Sequence, residues 1–155
     1  MIAVIFYLED STLRHDSVEQ TMSRRIFDSR NLGATHVFMI DRTQYKIGQY
    51  YDHVDGLINF QRFESLSEIQ SMYSEEKFVY LENEQSFIGV EATYYSIETY
   101  THPESCIYVS GPDTGAESIL ANSSNTIADY VNIEAENLWS ETAINIVLWD
   151  RKRKQ

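Results

Sequence analysis

The first residues of the chain, Ile2 to Leu8, read IAVIFYL and form an unbroken apolar run rich in β-branched and aromatic residues. Such a run is typical of a strand that is covered on both faces, as in a parallel sheet flanked by helices. No basic residue precedes it, and Glu9 and Asp10 follow at once, which favours a buried strand over a signal peptide. No segment approaches roughly eighteen consecutive apolar residues, so we expect no membrane span.

A helix and a second strand follow this run. Asp16 or Ser17 can cap the helix, because their side chains accept hydrogen bonds from backbone amides of the first turn. Apolar residues then recur at helical spacing over residues 18–32, and Gly33 is suited to end the helix. His36 to Ile40 (HVFMI) is the predicted second strand. This β-α-β unit predicts a parallel sheet.

The alternation of strands and helices continues to the end of the chain. Ser65 and Glu68 form a possible capping box for a helix that reaches about Tyr73, and another helix begins at Ser140. The sequence predicts one α/β domain over residues 1–155, with a mostly parallel sheet and flanking helices. Further strands are predicted at residues 56–60, 78–81, 86–92, 106–110 and 128–133, with a helical turn at 118–121.

The charge of the chain is unevenly distributed. The net charge is −12, yet residues 78–150 contain 12 acidic residues and no lysine or arginine. Residues 1–77 hold 8 basic and 12 acidic residues, and the chain ends in Arg151-Lys152-Arg153-Lys154. A nucleic acid would therefore have to bind the first half or the tail. Cys106 is the single cysteine, which excludes an internal disulfide and favours a reducing, cytoplasmic compartment.

Ligands of open parallel sheets bind outside the carboxyl ends of the strands. Three predicted loops qualify, after Ala92, Ser110 and Ile133. The loop after Ser110 begins Gly111-Pro112-Asp113-Thr114-Gly115, whose glycines allow a tight turn and a close approach of a ligand to bare backbone. It is not a P-loop, because no Gly-Lys-Ser/Thr sequence follows.

Several short sequence motifs lie in and around these loops, and their order along the chain is informative. The segment from His102-Pro103-Glu104 through CIYVS to Gly115 is followed by ADYVNI at 128–133, and a last segment, NLWSETA at 137–143, opens a helix that ends in Asp150-Arg151. With VEAT at 90–93 and SIE at 96–98, they resemble the SpoU/TrmH branch of the SPOUT methyltransferases, which carries LE…PL…HPE…hhhhGxExxG, ADxxVxIP and SLNVSxAxxIhLYE. The last segment is also similar to the PHSExAxxxxxLDR form of archaeal tRNA ribose 2′-O-methyltransferases.

The resemblance implies a C-terminal trefoil knot and a homodimer that packs the first and last helices together. It implies an RNA methyltransferase, acting on a ribose 2′-OH of tRNA or rRNA, with S-adenosylmethionine (SAM) as cofactor. Independently of the resemblance, the scattered histidines lead us to expect no metal. The positions that it implies for the cofactor are Val90, Gly111, Gly115, Ile133, Asn137 and Leu138.

The family's first motif, N-x-G-x-x-x-R, supplies an arginine that assists attack by the ribose hydroxyl. Residues 10–16 (DSTLRHD) lack its asparagine and glycine, but Arg14 follows the first strand and is our first candidate. Arg24 and Arg25 are the next candidates, because a cation can stabilise a developing alkoxide or hold the neighbouring phosphate. In the alternative interpretation, Arg24, Arg25 and Arg30 form the solvated face of a helix.

Other features leave alternatives open. Tyr94, Tyr95, Tyr100 and Tyr108 either stack on bases or pack in the core. The four histidines show no metal-ligand spacing. The missing first motif permits a dimeric SPOUT-like binding module without catalysis, and the acidic residues 78–150 permit an acidic protein that mimics nucleic acid.

Overall fold

The structure is a computed structural model that describes residues 1–10, 17–44, 58–82, 94–111, 127–135 and 138–155. Strands and helices alternate along these residues in the manner predicted from the sequence. In chain order, the elements are β1 (Ile2–Leu8), α1 (Val18–Asn31), β2 (His36–Asp41), β3 (Asn59–Phe63), α2 (Leu66–Met72), β4 (Phe78–Glu82), β5 (Tyr94–Ser96), β6 (Cys106–Ser110), β7 (Ala128–Asn132) and α3 (Ser140–Lys154).

The strands form one seven-stranded sheet in the order β3-β2-β1-β6-β4-β7-β5. Every pair among the described strands is parallel, which confirms the prediction of a mostly parallel sheet. The prediction for β1 is also confirmed, because all seven of its residues are buried. It lies in the interior of the sheet, between β2 and β6.

The two faces of the sheet carry separate cores. On one face, alternate residues of β1, such as Val4 and Phe6, pack with Met22 of α1 and with Ile144 and Val147 of α3. On the other face, the remaining residues of β1 pack with an aromatic cluster and with α2. The period of two along a strand assigns each residue to one of these cores. Helices α1 and α3 therefore share one side of the sheet, and α2 lies on the other.

Both ends of α1 agree with the residues that predicted them. Ser17 is the N-cap, and its hydroxyl accepts a hydrogen bond from the backbone amide of Gln20 while the Gln20 side chain accepts one from the Ser17 amide. At the other end, Gly33 adopts a φ of 102°. Its amide donates to the Arg30 carbonyl, and the amide of Ala34 donates to the Ser29 carbonyl. These two bonds form a Schellman motif, which satisfies the last carbonyls of the helix.

The prediction was wrong in detail at β3. We expected a strand over residues 56–60, whereas β3 extends from Asn59 to Phe63 and includes the exposed Gln61 and Arg62. β3 is an edge strand that pairs with β2 alone, so its polar residues face solvent and its apolar pattern is weak. The predicted strand at 86–92 and helical turn at 118–121 lie outside the described residues. The short edge strand β5 was not predicted.

The order of the strands reverses direction between β1 and β6. The chain leaves β1 for β2 on one side, and it leaves β6 for β7 on the other. Ligands of open α/β sheets bind at such a switch point, outside the carboxyl ends of the strands. Ile5 pairs with Val109. Tyr7 lies two residues after Ile5, and Gly111 lies two residues after Val109, so the end of β1 is beside the residue that follows β6.

Candidate functional site

The carboxyl edge of the sheet brings together the described members of the predicted cofactor set. Gly111 directly follows β6 and is half-buried. Ile133 directly follows β7 and packs partly against the core. Only β4 separates these two strands, so their ends are roughly 10 Å apart. Leu138 lies two residues before α3 and is 40 % exposed. Val90, Gly115 and Asn137 lie outside the described residues.

The loop after β7 has an unusual backbone conformation. Glu134 has a φ of 64°, in the left-handed region that residues other than glycine rarely adopt. Its amide donates to the side chain of Asn132 at 2.8 Å, and its carboxylate accepts a hydrogen bond from the Ser96 hydroxyl. The end of β7 is thereby tied to the end of the edge strand β5. Strained backbone of this kind persists where neighbouring contacts hold it, and it is common at ligand sites.

The two described arginine candidates differ in environment. Arg25 is 1 % exposed, its Nη1 donates to the Tyr7 carbonyl at 2.9 Å, and its guanidinium lies 5.0 Å from the centre of the Phe6 ring. The solvated-face interpretation is therefore wrong for Arg25. Arg24 keeps 42 % of its side chain exposed, and Arg30 is exposed. Arg14 lies outside the described residues.

A carboxylate that was not among the predicted site residues joins the two arginines. Glu141, in the first turn of α3, accepts hydrogen bonds from Nε and Nη2 of Arg24, the latter at 3.2 Å. Nε of Arg25 lies 3.4 Å from the same carboxylate. Glu141 matches the glutamate of the PHSExA form, but it lies 117 and 116 positions from Arg24 and Arg25, so no spacing rule could have placed it beside the arginines. It lies beside the end of β1, next to the predicted cofactor loops.

Further contacts hold α1 and α3 side by side, with both helices leading away from the carboxyl edge. Asn145 donates to the carboxylate of Asp28 at 3.2 Å, and Lys152 donates to the Asn31 carbonyl at the same distance. From one contact to the next, the residue numbers increase on both helices, so α1 and α3 run in the same direction. The arginine–glutamate cluster is the first of these contacts.

A second polar cluster lies toward the other end of α3. His102 Nδ1 is 2.7 Å from the Tyr108 hydroxyl, and His102 Nε2 is 2.9 Å from the carboxylate of Asp150. Arg151 Nη1 lies 3.3 Å from the Tyr108 hydroxyl. Because a guanidinium only donates, Tyr108 accepts from Arg151 and donates to His102, whose Nε2–H then donates to Asp150. Lys154 also contacts Asp150, at 2.7 Å.

The environment of this cluster shifts the pKa values of its members. Burial lowers the pKa of His102, and the neighbouring Lys154 and Arg151 lower it further against the opposing effect of Asp150. Burial alone would raise the pKa of Asp150, but hydrogen bonds from Lys154, His102 and Arg153 outweigh burial and lower it. Burial also raises the pKa of Tyr108 and of Cys106. The cluster thus holds a neutral histidine against an ionised aspartate, away from the predicted cofactor loops.

The structure divides the four tyrosines proposed for base stacking. Tyr100 and Tyr108 are buried, and the Tyr100 hydroxyl donates to Asp129 at 2.8 Å. Packing is therefore the role of these two. Tyr94 and Tyr95 on the edge strand are 44 % and 42 % exposed.

The described residues contain neither a candidate metal cluster nor a membrane-spanning helix. Within the six described segments, no group of three histidine, cysteine or acidic residues is arranged to hold a metal ion. No helix in those segments is long and apolar enough to cross a bilayer.

Comparisons of the sequence and of the structure gave different results. No protein-family profile and no curated protein matches the sequence. The structure, in contrast, matches solved structures of RNA methyltransferases over almost the whole chain. A TrmH-family protein from Porphyromonas gingivalis matches with a TM-score of 0.62 at 11 % identity, covering 99 % of this chain and 59 % of that protein.

Two other structures agree with this match. A protein from Bacillus anthracis, assigned as an RNA methyltransferase, matches with a TM-score of 0.62 at 11 % identity and covers 100 % of this chain and 94 % of its own. An rRNA methyltransferase from Sinorhizobium meliloti with bound AdoMet matches with a TM-score of 0.59 at 13 % identity, covering 99 % and 55 % respectively. The chain thus spans little more than half of two of these proteins. The resemblance to the SpoU/TrmH branch is confirmed at the level of the fold.

Proposed function

We propose that the protein is a SAM-dependent RNA methyltransferase that modifies a ribose 2′-OH of tRNA or rRNA. The proposal rests on one observation: the predicted cofactor residues and a pair of arginines lie at the same edge of a methyltransferase fold. The predicted cofactor residues Gly111, Ile133 and Leu138 lie at the carboxyl ends of β6 and β7 and before α3. The cluster of Arg24, Arg25 and Glu141 lies beside them, at the end of β1.

The residues at this edge fit such a cofactor. Gly111 has no side chain to keep a ligand from its backbone, and the exposed Leu138 offers an apolar surface to an adenine ring. Glu134 is tied by hydrogen bonds to Asn132 and Ser96. Val90, Gly115 and Asn137 complete the proposed set. When bound, SAM supplies a methyl group on a sulfonium, which a positioned hydroxyl can attack. The chain's own contribution is orientation, the largest effect expected in such a transfer.

The charge at this edge suits an RNA backbone. The guanidiniums of Arg24 and Arg25 both contact the carboxylate of Glu141 at this edge. We propose that Arg24, the exposed member, contacts the substrate phosphate or the reacting oxygen. Arg14, in the segment between β1 and α1, stays a second candidate for this role.

We further propose a homodimer that packs the outer sides of α1 and α3, and a trefoil knot formed by the last helix. Phe27 on α1 is 66 % exposed, and Trp149 on α3 is 56 % exposed. Large aromatic residues exposed on adjacent helices are typical of a protein–protein interface. We also propose a cytoplasmic location, where tRNA and rRNA are available and a free Cys106 stays reduced.

Calorimetry tests the cofactor assignment. The wild-type protein should release or absorb heat with SAM and with S-adenosylhomocysteine, in a one-to-one stoichiometry per chain. Gly111→Val should weaken both affinities at least tenfold, because a branched side chain would occupy the backbone surface that the cofactor approaches. Met72→Ala, on the distant α2, is the control and should bind like wild type. A folded protein that gives no heat with either compound would support the non-catalytic binding module.

Mass spectrometry tests the reaction. RNA from cells with and without the gene is digested to nucleosides, and a 2′-O-methylated nucleoside should be lost with the gene. Loss of a base-methylated nucleoside would keep the methyltransferase and overturn the ribose assignment. If the protein is instead an acidic mimic of nucleic acid, no nucleoside should be lost with the gene. The protein should then compete with RNA for a basic binding partner.

A further inference from the structure

We infer that Glu141 is a positioning residue that holds Arg24 toward the RNA, while Arg25 serves as the buried support of that arrangement. This inference rests on the proposed methyltransferase function. It divides two neighbouring arginines, both candidates from the sequence, into one that can meet a substrate and one that cannot.

Burial excludes Arg25 from contact with RNA. Its side chain is 1 % exposed, and it is held by the Tyr7 carbonyl, the Phe6 ring and Glu141. An arginine in this position cannot reach a ligand without leaving the core. Its guanidinium shares the Glu141 carboxylate with Arg24.

The hydrogen bonds between Arg24 and Glu141 have the geometry expected when a carboxylate orients an arginine. Nε and Nη2 of its guanidinium donate to the two carboxylate oxygens of Glu141, one bond to each oxygen. Bidentate pairing fixes the plane of a guanidinium as well as its place. The Arg24 side chain is nevertheless 42 % exposed. The carboxylate therefore limits the orientations that the arginine can adopt.

The place of Glu141 in the chain connects this pair to the cofactor loops. It lies in the first turn of α3, three residues after Leu138. An acidic residue in the first turn is also favoured by the helix dipole. Its side chain is 16 % exposed, so it is shielded from bulk water. Glu141 therefore links the first turn of α3 to Arg24 of α1.

The effect of the Arg24–Glu141 pair can be distinguished by mutation from the packing of α1 on α3. The hydrogen bond from Asn145 to Asp28 joins the same two helices one turn further along, without an arginine. Asn145→Ala is therefore a matched control, because it removes a contact between the helices and leaves the Arg24–Glu141 pair in place.

Kinetics of methyl transfer test the inference, with unmodified tRNA and rRNA transcripts from the source organism as substrates. Glu141→Gln and Arg24→Ala should each lower kcat/KM by on the order of 10²-fold, the usual scale for a misplaced catalytic contact. The double variant should be no slower than Arg24→Ala, since Glu141 acts through Arg24. SAM affinity should change less than twofold in all of them, and Asn145→Ala should match wild type.

Binding of the same transcripts without cofactor gives a readout that does not depend on turnover. The dissociation constant should rise equally in Arg24→Ala and Glu141→Gln, and the double variant should again show no additional loss. If Glu141→Gln does not fold, Glu141→Asp is the second variant; it keeps the charge but withdraws the carboxylate by one methylene, and should show the same pattern.

Two results would separate the failure of this inference from the failure of the proposed function. If wild type transfers methyl groups and Glu141→Gln equals it, or if the two losses multiply in the double variant, Glu141 does not position Arg24. If wild type neither binds SAM nor transfers methyl groups, the proposed function itself is wrong, and the positioning role falls with it.

Discussion

Arg24 and Arg25 are neighbours in sequence but differ in exposure, and this difference decides what each can do. Successive residues on a helix point about 100° apart, so a helix that packs on a sheet by one face and on a helix by another separates adjacent side chains. Arg25 turns toward the sheet, where the Tyr7 carbonyl and Glu141 accept its hydrogen bonds. Arg24 remains at the surface beside α3. Residue type alone could not distinguish them.

His102 makes the stability of the fold depend on pH. Its lowered pKa means that the native protein resists protonation, whereas the unfolded chain accepts a proton near pH 6.5. Stability from this residue is therefore fully present above pH 6.5 and declines as the pH falls through 6.5 toward the lowered native value. Asp150 stays ionised across this window, because its own pKa is lowered below 3.8.

We predict that urea unfolding of the wild type shows a loss of stability between pH 7.5 and 5 that is reduced in His102→Gln. The difference between the two curves isolates His102 from the other histidines. Parallel curves for the two proteins would show that His102 is not a neutral, buried member of the cluster.

At the scale of the element, α1 shows why helix ends are well predicted. The cap of Ser17 and Gln20 and the turn at Gly33 are formed by residues close in sequence. Local hydrogen bonds of this kind do not depend on which strand or helix lies nearby. Edge strands behave differently, since β3 is set by its pairing with β2 and its own residues are largely polar.

We predict that Gly33→Ala lowers the free energy of unfolding by about 1 kcal/mol, the scale of the cost of a left-handed conformation for a residue with a Cβ atom. An added Cβ would have no heavy atom within 4 Å, so the cost is conformational and not steric. Gly33→Asn should cost less, because asparagine tolerates this conformation better. Equal losses in the two variants, measured by urea unfolding, would contradict the explanation.

At the scale of the whole molecule, the layer of α1 and α3 has an inner and an outer side. The inner side packs on β1 and its neighbours through residues such as Met22 and Val147. The outer side exposes Phe27 and Trp149, and Arg153 lies 5.3 Å from the centre of the Trp149 ring. A second copy of the chain on this side would remove both aromatic residues from water, at about 25 cal/mol per Å² of apolar area.

We predict that Trp149→Glu changes the mass in sedimentation from that of a dimer to that of a monomer. Met72→Glu is the matched control, because Met72 on α2 is also 56 % exposed but lies on the other side of the sheet. It should leave the mass unchanged. A monomeric wild type, or a Trp149→Glu variant that stays dimeric, would exclude this interface.

The sequence by itself determined the features that depend on near neighbours. The unbroken apolar run of β1 predicted a buried strand, because a strand covered on both faces has no position for a polar residue. The motifs around Gly111 and Ile133 likewise predicted that both residues follow strands, and they do: β6 is fully buried, and β7 is half-buried except for the buried Val131.

Only the tertiary structure decided which distant residues meet. The order of the strands placed β1 beside β6, so that the end of β1 lies next to Gly111. It also brought Glu141 to Arg24, 117 positions away, and His102 to Asp150, 48 positions away. Periodicity and capping act over a few residues, and hence carry no information on such pairs. Their formation follows from the packing of α3 against α1 and the sheet, which the whole chain determines together.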